Sequence, residues 1–146
     1  MIRVVLSCLL AVAIAGVVFP AADAARADAT AVHIETAADE IAHAATELVA
    51  DEDPSPAGLA GPTRHVTVSV PTGSWKQTRV SMLTLRGGTG LELATTTATG
   101  TRAIRRVATP RIRVSGGEVK LKPGEHSLRL TLQGDSTAPV VVIETA

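Results

Sequence analysis

The stretch that decides the fold is KPGEHSLRLTL, residues 122–132. A Pro-Gly turn is followed by a run in which three leucines alternate with polar residues. A period of two is typical of a β-strand that buries one face and leaves the other in water. The same alternation recurs in two further runs, Val66, Val68, Val70 and Ile112, Val114. These runs predict a sheet protein.

Clusters of turn-forming residues separate the apolar runs. Short strands separated by turns about every 8 to 12 residues are typical of a sandwich or barrel. We therefore expect seven or eight strands between Arg64 and Glu144. The predicted fold class is mainly β: a small antiparallel β-sandwich, Ig-like or cupredoxin-like, over residues 64–146. Its core must be built from Val, Leu, Ile and Ala, because the chain has one Trp, no Tyr, and a single Phe at position 19.

One amphipathic helix is predicted ahead of the sandwich, over residues 30–52. Its apolar residues recur at the helical spacing of three to four positions. We expect Thr30 or Asp28 to be its N-cap, since short polar side chains accept the first free amide bonds. The apolar stripe consists of Ile34, Ala38, Ile41, Ala45 and Leu48. Three prolines and two glycines over residues 53–63 then predict a linker.

Charge divides the chain although its formal net charge is zero. Residues 30–63 carry seven acidic side chains and no Lys or Arg, whereas residues 64–146 carry twelve basic and five acidic ones. Two interpretations are open: the helix docks on a basic β face, or it is a mobile acidic stalk. The first would involve what we call the arginine group, namely Arg102, Arg105, Arg106, Arg111 and Arg113.

The first residues, 1–24, have the pattern of a signal peptide. Arg3 precedes the apolar run Val4–Phe19, Pro20 is expected to end it, and Ala-x-Ala patterns at 22–24 and 27–29 predict cleavage near residue 24 or 29. An uncleaved membrane anchor is the alternative, but the run is shorter than the roughly 20 residues that a bilayer core requires. Cys8 has too few residues before it for a lipid anchor. We expect a protein that is secreted, or located in the periplasm or cell envelope, with no membrane span after cleavage.

Motifs of enzymes are absent from the sequence. No Gly-x-Ser-x-Gly elbow, phosphate-binding Gly-rich loop before a helix, or His-Glu-x-x-His motif occurs. Ser127, His126 and Asp135 resemble a triad by residue type, yet adjacent residues of a strand point to opposite faces. The protein is therefore predicted not to be an enzyme.

Binding residues are suggested by three features. Trp75 is either an exposed ligand contact or a cap on one end of the core. The arginine group could bind polyanions, but nucleic acid is not expected, because single-strand recognition uses several stacking aromatic residues. On the helix, Asp39, His43 and Glu47 follow at i, i+4 and i+8 and present either a metal site, for example for zinc, or a solvated polar face.

Residues 114–132, with their strand, Leu-x-Pro-Gly turn and following strand, look like the C-terminal hairpin of the PCuAC-type periplasmic copper chaperones, and residues 81–88 are similar to an early strand of that family. The resemblance implies a cupredoxin-like sandwich that holds Cu(I) through His and Met, since imidazole and thioether ligands select this ion. Here the ligands would be His126 and Met82, or His126 and His65. The sequence departs from the family where Arg129 stands near its methionine position. His126 also fits the rim of the core.

The function that these observations favour is that of an exported, non-enzymatic binding or structural accessory protein of the bacterial envelope, with an envelope or protein partner that the sequence does not identify. One alternative is a copper-binding, chaperone-like protein, and no other cofactor is expected. The second alternative is an adhesion or envelope interaction module that uses a basic face around Trp75.

Overall fold

A computed structural model describes residues 2–56, 59–106 and 111–146, without the side chains of residues 105 and 106. These ranges contain one helix and eight strands in two four-stranded sheets, which confirms the predicted mainly-β sandwich with a preceding helix. The elements are α1 (Ile2–Asp51), β1 (Thr63–Val70), β2 (Val80–Gly87), β3 (Leu91–Thr97), β4 (Gly100–Arg106), β5 (Arg111–Val114), β6 (Glu118–Leu121), β7 (Gly124–Gln133) and β8 (Val140–Thr145).

The strand order is β1-β7-β8-β5 in the first sheet and β4-β3-β2-β6 in the second. All neighbours pair antiparallel except β5 and β8, which are parallel. This one pair departs from the antiparallel prediction. The chain leaves the first sheet after β5 to form β6 in the second sheet, and it returns as β7. No hairpin therefore joins β5 to its neighbour β8, so the two strands are free to pair in parallel.

The core lies between the two sheets and is aliphatic. The three leucines of β7 are fully buried, and Val68 and Val70 of β1 are 1% exposed. The predicted alternation is therefore correct for these strands. The opposing layer comes mainly from β2 and β3, where the inward-facing residues are Leu83, Leu85, Leu91 and Leu93.

The helix α1 has 50 residues and is about 75 Å long. Pro20, which follows the apolar run Val4–Phe19, lies inside the helix, so the backbone stays helical past this proline. Alanines, which favour helix most strongly, follow it at positions 21 and 22. The predicted N-cap at Thr30 or Asp28 is wrong, because the helix runs through both positions.

The second half of α1 packs along the side of the sandwich, where the edge strands β1 and β4 face each other. The predicted apolar stripe is buried there, with Ile34 and Leu48 at 1% and 2% exposure. Ala37 and Ala44 widen it. Alanines let the helix approach both sheets closely, so the helix is docked and closes one open side of the sandwich.

The first half of α1 projects away from the sandwich. An 18-residue window has a mean hydropathy of 2.6, and none of that window is buried. Large apolar side chains such as Leu9, Val17 and Phe19 are more than half exposed. The chain thus carries an apolar helix near its N-terminus, of the kind found in signal sequences and membrane anchors.

Candidate functional site

The strands β1 and β2 are joined by residues 71–79, which we call the tryptophan loop. The amide of Ser74 donates to the Gln77 carbonyl at 2.9 Å, and the Ser74 hydroxyl accepts from the amides of Lys76 and Gln77 at 3.2 Å. Such side-chain bonds stabilise a tight turn. Trp75 and Lys76 therefore occupy the two central positions of a well-bonded turn.

Two residues of α1 hold the tryptophan loop against the helix. Arg26 Nε donates to the Trp75 carbonyl at 2.9 Å. The Thr78 amide donates to Thr30 Oγ1, also at 2.9 Å, and Thr30 is 5% exposed. The loop is thereby fixed at the point where the docked half of the helix begins.

Trp75 is 76% exposed. It therefore does not cap the core, and its role as a ligand contact stays a prediction. Lys76 Nζ lies 4.7 Å from the centre of the ring, within the range of a cation-π interaction. The turn thus presents one large aromatic side chain and one cation side by side to the surroundings.

The arginine group is divided between the two sheets. Arg102 lies on β4 with positions 105 and 106, whose side chains are outside the described part of the chain. Arg111 and Arg113 lie on β5, with alternate residues buried, and so point outward from the other sheet. Strands β4 and β5 lie at edges on opposite sides of the sandwich. The three arginines of the group whose side chains are described, Arg102, Arg111 and Arg113, do not share one face.

One basic residue that pairs with the acidic helix is Arg64, at the start of β1. Its guanidinium pairs with Glu47 and lies 3.5 Å from Asp51 Oδ2. Sequence reasoning missed this residue, although it is the first basic residue after the linker. Docking is therefore the interpretation that the structure shows, and Arg64 is one basic residue that pairs with the helix.

Two members of the predicted metal set on α1, His43 and Glu47, are engaged in ion pairs. His43 Nε2 lies 3.1 Å from Glu47 Oε1, while the other oxygen of Glu47 faces Arg64. In the residues that the structure describes, no group of three or more His, Cys, Asp or Glu side chains is placed to hold a metal ion.

The two copper-ligand pairs implied by the family resemblance are not brought together. His126 shares the inward alternation of β7, and its Nε2 lies 2.7 Å from the Lys122 carbonyl oxygen. Met82 belongs to the other sheet and alternates with the buried Leu83. His65 is exposed on the outward-facing set of β1. The structure thus places all three on different surfaces.

Ion pairs cover the outer surface of the second sheet. Arg86 of β2 donates to Glu118 of β6 at 3.0 and 3.1 Å, and Lys120 lies 2.8 Å from the same carboxylate. The hydrogen bond from Lys120, followed by that from Arg86, lowers the pKa of Glu118 below its usual value. Such a shift favours the charged form, which suits an ion pair, whereas a general acid at neutral pH needs the opposite shift.

A cleft of about 230 Å³ lies between α1 and the β3-β4 hairpin. Two isoleucines and two alanines line its apolar part, namely Ile34, Ile104, Ala27 and Ala31. Six threonines, Gly100 and Arg102 line the rest. The rim hydroxyls are bonded to each other and to the backbone: Thr97 Oγ1 lies 3.0 Å from Thr99 Oγ1 and 3.1 Å from the Gly100 carbonyl. The hydroxyl of Thr97 at the rim therefore forms its hydrogen bonds within the protein.

Neither the curated proteins nor the solved structures include a significant match to this chain. A family described as a domain of unknown function, DUF7311, matches residues 1–146. The match covers the apolar half of α1, the docked half and the sandwich together, so the chain belongs to the DUF7311 family.

Proposed function

We propose that this protein is an exported, non-enzymatic binding or structural module that stays attached to the membrane through the first half of α1 and presents its sandwich outside. The observation that carries the proposal is the continuity of α1. Its exposed apolar half and its docked half form one helix, so a membrane-embedded segment would hold the sandwich directly, with no flexible link between them.

The length of the uncharged segment supports a membrane span. Because Pro20 does not end the helix, the segment without charged residues extends from residue 4 to residue 22. At 1.5 Å per residue this is about 28 Å, close to the roughly 30 Å of a bilayer core. Arg3 lies before the segment and the sandwich after it, an arrangement that favours an outside location for the sandwich.

The position of the cleavage patterns supports retention of the segment. Both Ala-x-Ala patterns lie in helical backbone, whereas proteolysis concentrates in exposed, mobile segments. The pattern at 27–29 also lies between Arg26 and Thr30, the two residues that hold the tryptophan loop. Cleavage there would separate one of these contacts from the folded domain.

Membrane extraction and intact mass test this proposal. The full chain, expressed with its first residues intact, should remain in the membrane after alkaline carbonate washing and should keep its complete mass. Leu9→Arg places a charge in the middle of the apolar half and should release the protein from the membrane. Val32→Arg, at an exposed position of the docked half, is the matched control and should stay bound.

Recovery of a soluble form whose mass lacks the first 24 or 29 residues would contradict retention. Protease added outside the cell or to right-side-out vesicles should reach the sandwich; protection of the sandwich would contradict the outside location.

A further inference from the structure

We propose that the tryptophan loop is a second membrane contact, which seats the Trp75 indole in the headgroup layer next to the point where α1 leaves the bilayer. This inference rests on the proposed function, because it requires the first half of α1 to lie in the membrane. It assigns a lipid surface as the partner of the most exposed aromatic side chain of the described domain.

The short distance along the helix axis between the uncharged segment and the tryptophan loop supports this contact. Ala22 ends the uncharged segment, and Arg26, which holds the Trp75 carbonyl, follows four residues later. Four residues of helix correspond to about 6 Å. The headgroup layer on each side of the bilayer core is about 5 to 7 Å thick. The backbone of Trp75 is thus held at the depth of the headgroups.

The direction of β1 places the loop at the membrane end of the sandwich. Arg64, at the start of β1, meets Glu47 near the far end of α1. Ser69, near the end of β1, has its carbonyl oxygen 2.9 Å from His33 Nε2. The strand therefore runs back along the helix toward the membrane, and the tryptophan loop follows it at that end.

The side chains of the loop match the chemistry of a bilayer interface. Tryptophan is enriched at this depth because its ring is apolar and its N–H finds polar partners. Lys76 lies beside the indole, and Arg79 is also exposed in the loop, so cations accompany the ring toward anionic headgroups. The bonded turn at Ser74 fixes this pair in place, which reduces the ordering cost of contact.

Fluorescence of the native protein tests the contact directly, since Trp75 is the only tryptophan of the chain and there is no tyrosine. The full chain is reconstituted in vesicles of equal parts phosphatidylcholine and phosphatidylglycerol, with doxyl spin labels either near the headgroup or near the end of the acyl chain. We expect the shallow label to quench Trp75 about twofold or more, because interfacial tryptophan lies at headgroup depth. The deep label should quench it much less.

The matched control moves the indole to the opposite end of the sandwich. In the double variant Trp75→Phe/Leu59→Trp, the new indole replaces an exposed side chain beyond the far end of α1. Both labels should leave its fluorescence unchanged.

Flotation of the same vesicles separates the two proposals. Protein that floats with the vesicles while the shallow label fails to quench Trp75 overturns the membrane contact and leaves the anchor intact. Protein that does not float overturns the anchor and the contact together. Equal quenching of native and control variants also overturns the contact, because the indole at the far end should not meet lipid.

Discussion

Replacing Ile41 by alanine tests whether α1 remains docked in solution. Ile41 is fully buried between the helix and the sandwich. The change removes three carbons, each of which contributes about 0.8 kcal/mol when buried, or about 2.4 kcal/mol together. The cavity left behind adds to this, and buried Ile→Ala changes cost about 2–5 kcal/mol in total. We therefore expect Ile41→Ala to lower the free energy of unfolding by about 2–4 kcal/mol.

Urea unfolding of the full chain in a mild detergent, followed by circular dichroism in the β region, measures this loss. Val32→Ala is the matched control, because Val32 lies on the same half of the helix and is 62% exposed. Its effect should be within about 0.5 kcal/mol of zero. If Ile41→Ala were as mild as Val32→Ala, the helix would not contribute to the core, and the mobile-stalk interpretation would replace docking.

Three further predictions concern the ion pairs, the acid stability and a close contact between two strands. Arg64→Gln should cost about 0.5–1 kcal/mol and speed hydrogen exchange at the end of α1, because its pairs with the helix carboxylates are partly exposed. Arg129→Gln, which breaks a similar pair within the sandwich, should leave helix exchange unchanged. Hydrogen bonds from Thr137 and the neighbouring amides lower the pKa of Asp135, so stability from this group is complete above its ordinary value of 3.8 and is lost as pH falls through the lowered value. Asp135→Asn should flatten that part of the acid-unfolding curve; an unchanged curve would show that the turn is not coupled to folding. Gly87→Ala would place a methyl group 2.5 Å from a carbonyl oxygen of β5 and should cost about 1–3 kcal/mol in thermal unfolding, whereas Gly88→Ala, with open space around it, should be nearly neutral.

The strands could be predicted from the sequence because the signal for each is local. In β7 every second residue from Leu128 onward is apolar, and burial of one face requires only that pattern. The stripe on the docked helix was predictable for the same reason. The parallel pairing of β5 with β8 could not be predicted, since it depends on which sheet the intervening strand joins.

The start of the helix could not be predicted from local signals, although its predicted end at residue 52 lies one residue from the observed end at Asp51. Pro20 and Thr30 are, respectively, a helix breaker and a frequent N-cap, yet both lie within α1. At Thr30 the hydroxyl instead accepts from the amide of Thr78 in the tryptophan loop. A residue 48 positions away thus determines what the threonine does, and no pattern near Thr30 records it.

The pairing of charges was also beyond local reasoning. The opposite charges of the helix and the sandwich predicted attraction, with the arginine group as the expected partner. The helix follows an open side of the sandwich, because its alanine stripe fits between the edge strands β1 and β4. Shape decides the position of the helix, and Arg64 is a cation that this position brings within reach of the helix carboxylates.

Docking of α1 and the proposed attachment to a membrane are linked by the composition of the core. A sandwich without aromatic residues between its sheets is thin, and the helix supplies apolar side chains, among them Ile34, Ile41 and Leu48, that close its open side. The docked half is therefore part of the core and does not extend from the sandwich as a stalk would. Because the apolar half continues the same helix, a bilayer that holds it also sets the orientation of the folded domain, with the tryptophan loop toward the lipid and the linker end away from it.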